Sequence, residues 1–379
     1  MRKTPDITAL QRGRSRGLSL VELLVASAIG IIASLAIFQV FAVFEGQKRT
    51  TTSGGEAQTS GTLALFTLER ELRQAGYGIN DVAFLGCKVQ GRDSLSATSF
   101  TLDLVPVTIT QGALGAPDTI AVMYGNGDLI PNPASIIQNM PNSSSDYKVS
   151  NRYGFEEGEI ILLAEAGKDC TLGQVSTLPS AVGLNDNIVH NPGTYTNPKT
   201  GNQDTIRYNP SAFPPGSGVA YTTNAKVFNL GDLPANNVYT VASGQLQRQQ
   251  LLMGPSTAAV PVYDGVVQLQ AQYGKDDGVD NGTVVHATYS ANDGIIDKFD
   301  EVQPANTAQW GQVLAVRLAV VVRSNLQEKP DPDGVCRITT VAPSWAGGAI
   351  SLAADPDWQC YRYKVFQTVV PIRNMIWRP

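Results

Sequence analysis

A single carboxylate stands in the longest apolar stretch of this chain. Glu22 is the only charged residue in segment 18–44, and none occurs in the 22 residues that follow it there. An ionised side chain in such surroundings is costly unless it lies at a helix N-terminus or meets a cation. Four cysteines form a second set: Cys87, Cys170, Cys336 and Cys360. They lack the CxxC spacing of a zinc or redox site, so an even number in an oxidising compartment points to disulfides. Three pairings exist; Cys87–Cys170 and Cys336–Cys360 are preferred because each joins neighbours in sequence. A third set is acidic. Asp276, Asp277, Asp280 and Asn281 offer hard oxygens, with Asp293, Asp297 and Asp300 following. Calcium takes six to eight such ligands, but the spacing is not that of an EF-hand loop. A solvated, Gly-containing turn is the preferred reading and calcium the weaker one.

The remaining candidates are sparse. His190 lies in a loop-like segment, and His286 in an alternating stretch, 283–289, that predicts a strand. GxSxG, HExxH and phosphate-loop motifs are absent from the sequence, so neither an enzyme nor a cofactor is expected. Two glycosylation sequons, at Asn142 and Asn281, are assigned no role.

These residues sit in a chain of 379, a length that suggests two or three domains. Only 16% of residues are charged, while Gly and Pro number 36 and 22. That balance suits short strands and polar loops. At 42% hydrophobic the chain is too apolar for wholesale disorder. Its net charge of −5 argues against bulk binding of nucleic acid.

The charge is unevenly spread. Residues 1–17 hold five basic side chains and one acidic, a net +4 that leaves −9 for the rest. The uncharged stretch 23–44 would span about 33 Å as a helix, close to a bilayer core. Basic residues before it predict a cytoplasmic N-terminus and an exported C-terminal bulk. A small-x-small cleavage site is not evident after the apolar run. The change in character falls before it, at Gly17, where cleavage would remove the basic leader and keep the helix. Ala26, Gly30 and Ser34 place small residues at four-residue spacing, which lets helices approach closely in lipid.

Residues 17–26, GLSLVELLVA, resemble the class III signal of type IV prepilins and pseudopilins. The resemblance implies cleavage after Gly17 by a membrane aspartyl peptidase and N-methylation of Leu18. It also implies that Glu22, fifth after the cut, meets the terminal amine of a neighbouring subunit during assembly. Leu18 stands where the family usually has Phe, and the 17-residue leader is longer than the common short type.

A second helical pattern follows. Leu65, Leu68, Leu72 and Ala75 recur at helical spacing, Glu69 and Arg73 form an i,i+4 pair, and Gly76 and Gly78 supply a stop. Gly54-Gly55 predicts a break or melted stretch between the two helical halves. From about residue 80 the pattern is β: 100–109, Thr119–Tyr124, 159–164, 267–273, Val313–Arg323 and 365–372. In 267–273 apolar residues alternate with Gln268, Gln270 and Gln272, as in a half-buried strand. The segment Val313–Arg323 reads as a buried central strand.

Three segments are similar to the PilW family of minor type IV pilins. They are 68–78 with its LxxELRQAGYG pattern, the QYG that ends at Gly274 before the acidic loop, and VPIRN at 370–374. The expected fold class is α+β and pilin-like, with a long N-terminal transmembrane helix packed on a large β-rich head. The expected divisions are a leader (1–17), a transmembrane helix (18–44), an exported helical half (45–78) and the head (79–379). The resemblance implies a minor pilin in a priming or tip complex. Its partners would be other minor pilins, the major pilin, prepilin peptidase and the inner-membrane assembly platform. The head would face the periplasm and then the cell surface. A minor pseudopilin of a type II secretion system and a pilus-tip adhesin are the alternatives.

Overall fold

A computed structural model describes Gly17 and residues 19–79, 81–127, 132–180, 186–209, 218–253 and 257–376. The chain divides into two compact units, Met1–Ser53 and Gly54–Pro379. One helix, α1 (Leu20–Gln74), contributes to both. Within the first unit, the large apolar side chains from Leu20 to Phe44 are all exposed. The helix meets the length and composition needed to cross a membrane. Its serine hydroxyls turn back onto the helix: Ser27 donates to the carbonyls of Leu23 and Leu24 at 2.9 Å, and Ser34 to that of Gly30 at 2.8 Å. Such back-bonding satisfies polar groups that lipid could not.

Among the described residues, the second unit contains three larger sheets. The first has the order β2 (Thr98–Asp103), β1 (Lys88–Asp93), β8 (Cys170–Gln174), β7 (Ile160–Ala164), β12 (Lys226–Gly231), β5 (Ala134–Ser135). The second runs β15 (Val260–Asp264), β14 (Gln245–Gln250), β13 (Ala235–Ala242), β4 (Thr119–Tyr124), β3 (Val107–Thr110). The third runs β17 (Lys298–Asp300), β16 (Val266–Lys275), β18 (Val313–Arg323), β21 (Tyr363–Pro371), with antiparallel neighbours throughout. Three short pairs complete the β structure: β6 (Tyr147–Lys148) with β9 (Asn187–Ile188), β10 (Thr194–Thr196) with β11 (Gln203–Thr205), and β19 (Ser344–Trp345) with β20 (Gly348–Ala349). Two short helices lie next to strands of the third sheet in sequence: α2 (Thr307–Gly311) precedes β18, and α3 (Arg373–Ile376) follows β21.

The main core gathers the C-terminal part of α1 with the second and third sheets. Ala57, Ala64, Leu68, Leu72 and Ala75 join Ile120 and Tyr239 of one sheet and Leu269, Val316 and Val370 of the other. Their spacing places one helix stripe inward. Two further clusters lie around the six-stranded sheet, one centred on Leu162, Leu172 and Phe228, the other on Ile161, Leu163 and Val227. Alternate residues of β7 and β12 thus feed opposite faces of that sheet.

Several expectations need correction. The helix is unbroken at Gly54-Gly55, because packing of the stripe that begins at Ala57 outweighs a cost of about 1 kcal/mol per Gly. The strand proposed over 100–109 is two strands. Leu104–Pro106 carries the chain from the first sheet to the second, with the Leu104 amide on the Cys87 carbonyl. Stretch 283–289 is not a strand. Its polar groups bond locally, as Tyr289 Oη does to the Val284 carbonyl at 2.9 Å. Strand β16 is covered on both faces. Gln268 donates to the carbonyls of Gly115 and Ser351 at 2.9 and 3.0 Å, and Gln272 accepts from Arg317. As expected, β18 is central and buried along all but its last residue.

Candidate functional site

The residues singled out near the N-terminus meet at the start of α1. Residues 1–16 and Leu18, the proposed methylation position, lie outside the described residues. Ser19 precedes the first helical residue, and its Oγ accepts from the Val21 amide at 3.3 Å. Glu22 Oε2 accepts from the Ser19 amide at 3.0 Å. This is a reciprocal capping box, Ser-x-x-Glu, which satisfies two of the amides a helix start leaves unpaired. The Ser-x-x-Glu spacing at 19–22 is a signal legible in the sequence. Glu22 remains exposed. Its carboxylate can therefore serve the cap and still face a cation from outside. At Gly30 a side chain would meet nothing within 4 Å, so the small-residue row is open.

The other end of α1 is held by side chains that no local sequence pattern marks. Glu71 is buried and accepts from Tyr124 Oη at 3.0 Å and from Asn237 Nδ2 at 2.7 Å. Burial and the neighbouring Glu71 charge push the Tyr124 phenol upward, so it stays a donor. Asn374 Nδ2 caps the helix, donating to the carbonyls of Gln74 and Ala75 at 3.2 and 3.0 Å. Gly76, at φ +80°, lies under Pro106 and Met375. The segments 68–78 and 370–374, remote in sequence, are thus one helix terminus and its cap.

The acidic loop is internally bonded. Asp276 accepts from the amides of Asp293 and Gly294 at 3.2 and 2.7 Å, and Asp297 from that of Gly278 at 2.6 Å. Asp277 pairs with Lys298 at 2.8 Å, and Asp300 with Lys275 at 2.5 Å. Burial disfavours the Lys298 ammonium, but Asp277 and Asp300 outweigh it and raise its pKa. Asp280 and Asn281 each accept from an amide two residues on, of Gly282 at 2.8 Å and Thr283 at 3.1 Å. Among the described residues no group of three or more His, Cys, Asp or Glu side chains is arranged to hold a metal.

Cysteines 87 and 170 form one disulfide, across β1 and β8, and Cys336 and Cys360 a second that closes a loop between β18 and β21. His190 stacks on Tyr147 with ring centroids 4.0 Å apart, and its Nε2 lies 3.0 Å from the Ser145 carbonyl. Nε2 of His286 lies 2.8 Å from the Ile296 carbonyl. The structure does not bring the two histidines to one site.

Residues 234–374 match the family model described as Type IV Pilus-assembly protein W, PilW. That stretch is a PilW-family segment. It supplies β13, β14 and β15 of the second sheet and every strand of the third. Both Asn237, which holds Glu71, and Asn374, which caps α1, lie inside the PilW segment, while α1 and the six-stranded sheet lie outside it. No curated protein and no solved structure matches the chain.

Proposed function

We propose that this protein is a minor pilin that takes part in type IV pilus assembly within a priming or tip complex. The observation that carries the reading is the PilW-family match, over residues that form the sheet on which the C-terminal part of α1 packs. The exposed apolar stretch of α1 supports a single-pass anchor. In this reading the chain is inserted by 18–44 with its N-terminus cytoplasmic. It is cut after Gly17 and methylated at Leu18.

Assembly then follows from physical chemistry. In a bundle of like helices Glu22 meets the N-terminal amine of a neighbour, and the pair neutralises two charges where the dielectric is low. Small residues at 26, 30 and 34 let the helices close. The partners are other minor pilins, the major pilin, the processing peptidase and the membrane platform. The head passes from periplasm to cell surface.

Two measurements test this. The intact mass of the purified protein should show loss of residues 1–17 and gain of one methyl group. Glu22→Ala should insert normally yet be missing from sheared pili; recovery of that variant in pili at wild-type level would sink the assembly role.

A further inference from the structure

The two edges of the third sheet are treated differently. On the β16 side, from the Leu269 carbonyl to Lys275, the outward backbone groups are taken. The Asp118 amide donates to the Leu269 carbonyl at 2.7 Å, and its carboxylate accepts from the Ala271 amide at 2.8 Å. Gln111 Nε2 reaches the Ala271 carbonyl at 3.2 Å, and β17 pairs with residues 273–275. On the other side, β21 pairs with β18 alone. The Ile372 amide donates to the Leu314 carbonyl at 2.8 Å. That bond sets the alternation: the N–H and C=O groups of Tyr363, Val365, Gln367 and Val369 face away from β18. Among the described residues, these outward groups have no backbone or side-chain partner.

Protein sheets usually blunt such an edge with charge, proline, a bulge or shortness. Here nine residues run without a bulge, and none of the four outward-facing residues is charged. Pro371 falls at the next outward position, where its missing N–H ends the run of donors. The loop closed by Cys336–Cys360 bonds to residues 359–362 and, through the Ala346 amide, to the Gln367 side chain at 2.9 Å, and takes none of the outward backbone groups.

We infer that the outer edge of β21 receives an extended strand from a different polypeptide of the assembled pilus, by β-augmentation. The inference rests on the assembly reading above. Two features disfavour a second copy as the occupant. Head-to-tail stacking would need the opposite edge, which β17, Asp118 and Gln111 close. A two-fold pair would run the α1 segments on the two sheets antiparallel, since β21 runs alongside α1 from Gln58–Lys364 to Ala75–Asn374. Subunits of one parallel helix bundle do not meet that way.

The test uses the full chain. Amide hydrogen exchange is measured at residues 365, 367 and 369 in the detergent-extracted protein alone and in the complex co-purified with the other pilins. Slowing of at least tenfold in the complex is expected; unchanged exchange at these amides in a complex that contains the chain overturns the inference. Val369→Pro and Val365→Pro each remove one outward donor without touching the β18 ladder. Each should keep a wild-type melting temperature while its recovery in sheared pili falls at least tenfold. A normally folded variant recovered at wild-type level counts against the strand. Absence of the wild-type chain from sheared pili, by contrast, would overturn the assembly reading itself and this inference with it.

Discussion

Two side-chain pairs show how much a single charge can carry. Glu22 caps its own helix through the Ser19 amide, and the assembly reading gives the same carboxylate a second partner. Glu22→Gln separates the roles, because Gln keeps an acceptor for the cap but cannot neutralise an amine. The expectation is that Glu22→Gln, like Glu22→Ala, is lost from pili; assembly at wild-type level would mean that the cap alone matters. Asp93 makes the other pair, with Arg207 at 2.9 Å, and its side chain is 2% exposed. Burial would raise its pKa, but Arg207 and the Leu95 amide prevail and hold it below the ordinary carboxylate range. A lowered folded-state value means that the stabilisation is complete above the unfolded value and is lost as pH falls through the folded one. Asp93→Asn should therefore cost roughly 2–3 kcal/mol at pH 7. The gap in melting temperature between variant and wild type should shrink below pH 4. A gap that persists unchanged to pH 2 would show that packing, not charge, holds Arg207.

At the scale of elements, α1 meets β21 through a missing side chain. A Cβ at Gly61 would lie 2.2 Å from the Phe366 ring. In an open helix Gly→Ala gains about 1 kcal/mol; here overpacking should reverse the sign and cost about 1–3 kcal/mol. In a Phe366→Ala background the same substitution should become neutral or stabilising. Chemical denaturation of the four proteins measures the coupling, and strict additivity would disprove the contact. Asn374→Ala should destabilise by about 1 kcal/mol through loss of the α1 cap.

For the whole molecule, the two disulfides restrict unequal lengths of chain. Residues 87 and 170 are separated by 83 positions, and 336 and 360 by 24. Loop-closure entropy then predicts losses of about 4.5 and about 3.5 kcal/mol when each is removed. The Cys87→Ser/Cys170→Ser pair should therefore lower the melting temperature more than Cys336→Ser/Cys360→Ser. Cys170 also lies within an apolar cluster, whereas the second bridge closes a largely exposed loop. The reverse order in calorimetry would contradict the chain-entropy account.

Whatever rests on local pattern is legible in the chain alone. The apolar run and the basic leader mark the anchor and its expected cleavage at Gly17. The uninterrupted apolar character of Val313–Arg323 marks a central strand, and the spacing of Leu68, Leu72 and Ala75 marks a packed helix face. What depends on contacts remote in sequence is set by the three-dimensional fold. It keeps Gly54-Gly55 helical, because packing overrides propensity. It leaves 283–289 without a pairing strand, and alternation becomes a strand only where a ladder exists. It covers the Gln face of β16, where carbonyls from residues 115 and 351 arrive from distant loops and the Arg317 guanidinium from the neighbouring strand β18. The join between 68–78 and 370–374 belongs there too: each motif was legible alone, but a helix terminus and the side chain that caps it can be matched only in three dimensions.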